Sequence, residues 1–77
     1  MANAYGRLIY NAANSQGQPW HWNVASAGNN KDLARSSETY THRKDCIYSY
    51  DMVVGRGRIT LYEFKDGKTA TPVTDVV

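Results

Sequence analysis

The chain has 77 residues and carries nine Lys and Arg against seven Asp and Glu, a formal net charge of +2. Its length supports a single domain, and so mild a charge does not by itself mark a nucleic-acid binder. Hydrophobic residues at 42% and aromatics at 12%, with six Tyr and two Trp, exclude a disordered chain.

Tyr5 to Asn11 is rich in aromatic and branched residues and predicts a strand. Asn14 to Pro19 is a turn cluster in which Gly17 can take a positive φ. Trp20 to Ser26 alternates: Trp20, Trp22 and Val24 share one face, and His21, Asn23 and Ala25 the other. That is the period-2 pattern of a half-buried strand, hairpinned to the first. Ala27 to Asp32 forms a second turn, where consecutive Asn can supply left-handed conformations. A short strand over Leu33 to Ser37 follows.

Thr41 has the hydroxyl of a helix N-cap, although Lys44 stands where a capping box would place Glu or Gln. From His42 to Val54 the apolar residues Cys46, Ile47, Tyr50, Val53 and Val54 recur at helical spacing, and Gly55 ends the helix. Arg58 to Lys65 predicts the last strand, with Ile59 and Leu61 on one face and Thr60, Tyr62 and Phe64 on the other. Asp66-Gly67 is a turn pair. The expected fold is α+β in the order β-β-β-α-β, an antiparallel sheet with one helix packed on it. The domain runs over residues 1–68, followed by a loose tail over 69–77. The core candidates are Trp20, Trp22, Val24, Cys46, Ile47, Tyr50, Ile59 and Leu61.

A domain of this size buries only about 60% of the surface its unfolded chain exposes, so a monomer is marginal. Disulfides, a metal or oligomerisation usually compensate. Cys46 is the single cysteine, which excludes an internal disulfide. With only His21 and His42 beside it, the four ligands of a structural zinc site are lacking. No metal and no cofactor are expected, and a homodimer is the remedy left. The opening residues show no basic region followed by an apolar run. No apolar stretch approaches membrane-spanning length, so a cytoplasmic protein without membrane contact is expected.

The opening Gly6-Arg7-Leu8-Ile9-Tyr10 is echoed, with one insertion, by Gly57-Arg58-Ile59-Thr60-Leu61-Tyr62. An echo that stops after one strand suggests a strand that completes another subunit's sheet. The Trp-x-Trp hairpin strand, the turn at Ala27 and Asn29, the Leu33-Ala34 strand, Ser37-Glu38-Thr39-Tyr40 and the helix with Cys46 and Ile47 follow one another in order. This succession resembles the YegP-like family, a domain of unknown function, over roughly two-thirds of the chain. Thr39 stands where the family usually has Gly. The resemblance implies two β-β-β-α-β units, here from two chains, joined in one continuous sheet with exchanged C-terminal strands. It carries no agreed biochemical role.

No arrangement of residues points to catalysis, and the chain is expected not to be an enzyme. His42 lies at i−4 from Cys46, on the same side of the helix, but Cys46 on an apolar face reads as a small core residue. His42, Arg43 and Lys44 are basic where the helix dipole favours anions, which leaves open an anion site or a plain solvated end. Arg56 and Arg58 beside Tyr62 and Phe64 suit single strands by charge and stacking, or simply enter a strand. Trp20 and Trp22 form a ligand platform or fill the core, and one Phe in the chain favours the core. Tyr48 and Tyr62 exceed what a small core needs and suit an interface. Two functions follow. The first is a homodimeric module that binds a protein partner, as an inhibitor encoded by a mobile element would. The alternative is a nucleotide- or nucleic-acid-binding module using His42, Arg43, Lys44, Arg56 and Arg58.

Overall fold

A computed structural model describes residues 3–11, 17–64 and 69–76. The hairpin of β1 (Ala4–Tyr10) and β2 (Trp20–Ser26) is its centre. The two strands run antiparallel, with Leu8 opposite Trp22 and Gly6 opposite Val24. Period-2 alternation then puts Leu8, Trp22 and Val24 on one face and Arg7, Asn23 and Ala25 on the other. The second strand falls on the span its alternation predicts, and the first begins one residue early, at Ala4.

Asn30 turns the chain toward β3 with φ of 60°, in the left-handed region that Asn tolerates. β3 covers Asp32–Arg35, earlier than the Leu33 to Ser37 expected from sequence. Ser36 still donates its N–H to the Trp22 carbonyl at 2.8 Å. Residues 37–39 then leave the ladder, and Tyr40 returns to bridge Trp20.

Helix α1 spans Arg43–Val53, and its N-cap is His42, not Thr41. His42 is extended and makes no side-chain cap bond. Arg43 is held by Glu63 and Asp75, and this tertiary tie sets the first turn where the hydroxyl cap would not. At the other end Val54 and Gly55 both donate to the Tyr50 carbonyl, and Gly55 adopts φ of 90°. The expected stop at Gly55 is therefore correct. The buried stripe is Cys46, Ile47 and Tyr50. Val53, at the rim of that stripe in the last turn, is exposed, against expectation.

The next strand, β4, covers Leu61–Phe64, shorter than the Arg58 to Lys65 expected. Arg58 and Ile59 sit in a turn instead, both donating to the Gly55 carbonyl at 3.0 and 3.1 Å. The left-handed Gly55 folds the chain back on itself, so extension is delayed until Leu61. Lys65 and the Asp66-Gly67 turn lie outside the described residues, as do residues 14–16 of the Asn14 to Pro19 cluster, whose Gly17 takes the expected positive φ, 72°.

β4 pairs parallel with β1, Gly6 opposite Leu61. The sheet is thus mixed, not antiparallel throughout: α1 is a crossover that returns the chain in the direction of β1. The tail is not loose either. β5 (Ala70–Pro72) pairs antiparallel with β4, and Val73 is buried with its N–H on the Leu61 carbonyl at 2.9 Å. Val73 supplies an apolar anchor, and Pro72 fits an edge strand, where a missing donor costs little. The strand order is β3-β2-β1-β4-β5.

One core lies between the sheet and α1: Leu8, Trp22, Val24, Cys46, Ile47, Tyr50, Leu61 and Val73. Trp20 and Ile59 pack against it only partly buried. Trp22 is the buried Trp, its ring edge-on to Tyr50 at 5.3 Å. Its Nε1–H donates to the Ser49 hydroxyl, which also accepts from the Tyr40 hydroxyl.

Candidate interaction surfaces

Two of the five cations that sequence alone would offer to a ligand, Arg43 and Arg56, are committed to carboxylates. Arg43 donates from Nε and Nη2 to Glu63 Oε1 and from both terminal nitrogens to Asp75. Arg56 makes a forked contact with Asp51, down to 2.7 Å, and donates to the Val73 carbonyl. These bonds hold both guanidinium groups firmly charged, and the Arg43 bonds hold the Asp75 carboxyl below its usual range. His42, Lys44 and Arg58 are exposed, the first two at the helix start and Arg58 in the turn after it.

Cys46 is fully buried, and burial pushes its thiol up to about 12. A thiol so placed stays protonated and is a poor nucleophile. His42 is exposed at the helix start, on the solvent side of that boundary. Among the described residues no three metal-capable side chains converge.

The outer face of α1 is unusual. Tyr48 is 56% exposed, Met52 70% and Val53 69%. The outward positions of a surface helix are normally charged or polar. Here Lys44 and Asp45 lie in the first turn, and beyond them Tyr48 and Met52 are exposed beside Asp51, whose carboxylate is taken up by Arg56. Tyr48 and Met52 are four residues apart, neighbours on one helix face.

Comparison with protein-family models, with curated proteins and with solved structures finds no match to this chain.

The sheet face away from α1 carries Tyr5, Arg7 and Ile9 from β1, His21, Asn23 and Ala25 from β2, and Tyr62 and Phe64 from β4. Tyr62 sits edge-on to Tyr5 at 6.5 Å, and Arg7 stacks on the Tyr5 ring. Arg7 also donates to Asn23 and to Asp32, both within 2.9 Å. This face is half-buried by its own contacts, so Tyr62 is less accessible than Tyr48.

Beside it a shallow depression of about 620 Å³ is lined by His21, Arg35, Ser37 and Glu38 among others. Burial, and then the nearby Arg35, lower the His21 pKa and favour the neutral ring. No described helix is long and apolar enough to cross a membrane.

Of the seven binding candidates, the structure places Arg43 and Arg56 in ion pairs, His42 and Lys44 at one helix end, Arg58 in a turn, Tyr48 on the outer helix face and Tyr62 on the opposite side of the sheet. They do not form one site. Sequence reasoning missed Met52 as Tyr48's neighbour, although their i,i+4 spacing was visible. It also missed Asp75 as the partner of Arg43, for which no local pattern existed.

Proposed function

We propose that this chain is a non-catalytic interaction module that pairs with a second copy of itself and binds a protein partner through the outer face of α1. The observation that carries the reading is the exposed pair Tyr48 and Met52 on the outer helix face, with Val53 exposed at the rim beside it. Aromatic residues and Met are the types enriched at protein interfaces, where their burial repays exposure in the free state. A helix face of this kind suits an apolar groove on the partner. An inhibitor encoded by a mobile element would need such a surface and no catalytic group.

Pairing rests on the small core and the missing staples, and on the resemblance to the YegP-like family. Exchange of β4 between the copies is part of the reading. It would remake in trans the β1–β4 register that one chain makes in cis, with residues 54–60 as the hinge.

The test is capture of the partner from host lysate, repeated with Tyr48→Glu and Met52→Glu together. Loss of one identified protein, with unchanged circular dichroism, is the expected result. Retention of that protein would overturn the helix face. Binding of an oligonucleotide with steep salt dependence would overturn the protein-partner reading.

A further inference from the structure

The two edges of the sheet are not alike. β5 has three residues and ends on Pro72, which has no N–H to offer a neighbouring strand. β3 has four residues, all exposed and none of them proline. Its inner side is satisfied by β2. Ser36 donates to the Trp22 carbonyl, and bonded pairs alternate along an antiparallel ladder, so Val24–Ala34 is the next bonded pair. Arg35, between them, therefore turns its N–H and C=O away from β2, toward solvent. A bulge beside Ala34 leaves Leu33 62% exposed.

The charges at the ends of β3 are opposite. Asp32 gives Oδ1 to Arg7 at 2.7 Å, while its Oδ2 lies 4.0 Å from the Arg35 of its own chain. That long contact, at a half-exposed carboxylate, is the one a guanidinium of another copy can replace. Arg35 is 76% exposed in its side chain.

We propose that the β3 edge is a self-pairing seam whose occupant is β3 of a second copy of this chain. The two strands run antiparallel about a two-fold axis near Ala34. Ala34 faces its twin, and Arg35 of each copy lies against the Asp32–Leu33 end of the other. A strand with an acid at one end and a base at the other is complementary to itself only in that direction. The seam also covers an edge that would otherwise stay open. Its occupant is a second copy, so it rests on the homodimer reading, but not on exchange. With β4 kept in cis it closes a two-chain particle, and with β4 exchanged it joins one pair to another. A seam this short buries less than a standard interface and gives a weak, concentration-dependent pair.

The test is an Ala34→Cys chain under mild oxidation at high protein concentration. Facing residues of a non-bonded antiparallel pair lie about 4.5 Å apart at Cα, within disulfide range. Ala34→Cys should form covalent dimer about tenfold faster than Thr71→Cys on β5, because only its thiols are held at that spacing. Buried Cys46 takes no part. Arg35→Glu should raise the dissociation constant about fivefold, since each copy loses a cross-strand pair. If Ala34→Cys cross-links no faster than Thr71→Cys while light scattering still reports a pair, the seam is wrong and the homodimer stands. A single-chain mass at every concentration overturns both.

Discussion

Gly6 and Tyr50 meet across the core because one of them has no side chain. A Cβ built on Gly6 would lie 2.7 Å from the Tyr50 ring carbons Cε2 and Cζ, closer than carbons approach. Tyr50 is fully buried and donates its hydroxyl to the Ile59 carbonyl at 2.7 Å, so it cannot swing aside. Gly6→Ala is expected to cost about 1–3 kcal/mol in urea unfolding, as overpacking does. Trp22→Ala should cost about 3–5 kcal/mol, or abolish folding, because a large void is left beneath the helix. A thermal midpoint unchanged by that substitution would show the ring to be dispensable to the core. Burial raises both Cys46 and Tyr50 to about 12, from ordinary values of 9.0 and 10.0. Their neutral forms are the ones the fold keeps. The unfolded chain releases these protons first, so stability is full below about pH 9 and falls as pH rises toward 12. Cys46→Ser should lower stability modestly and remove part of that alkaline decline, which thermal melts across the range would reveal. Trp22, Cys46 and Tyr50 were legible in the sequence because local periodicity marks a buried face. The Gly6–Tyr50 contact was not, since nothing local links residues brought together only by the packed sheet.

At the scale of elements, the helix and the last strand were half-legible. The alternation of β2 and the helical spacing around Cys46 were enough to place both. The direction of β4 was not, because period 2 is the same for parallel and antiparallel strands. β5 was hidden by Pro72 and by small polar residues that read as a tail. What recovers it is tertiary: Val73 in the core and Asp75 on Arg43. The Arg43–Asp75 contact lowers the Asp75 pKa, chiefly through the hydrogen bonds from Arg43. A carboxyl depressed in the folded chain adds stability above its ordinary range and loses it as pH falls through the depressed value. The gap in thermal midpoint between the parent chain and Asp75→Asn should therefore close as the solution is acidified. A gap that persists in strong acid would mean that the side chain acts by something other than charge.

At the scale of the molecule, 77 residues close one sheet and one core but leave an apolar helix face uncovered. Light scattering at micromolar concentration should give twice the chain mass. Exchange of β4 makes a sharper demand. An exchanged pair can trade subunits only after β4 leaves the sheet, so differently labelled pairs should mix no faster than the chain unfolds. Mixing within seconds under conditions where unfolding is slow would show that β4 stays with its own chain. The small core and the missing staples were plain from composition, whereas the apolar helix face needed three dimensions, because Val53 reads as core in one.

β1 is made before both of its neighbours in the sheet, β2 and β4. Its first neighbour begins at Trp20, but its second must wait for Leu61. Val73 and Asp75, which fasten the far edge, come later still. During synthesis β1 is thus paired on one side only until Leu61 to Phe64 are free, even when α1 is already there to cover Leu8 and Trp22. A nascent chain stalled after α1 therefore lacks one flank of its central strand and is a substrate for chaperones and proteases before it is a domain.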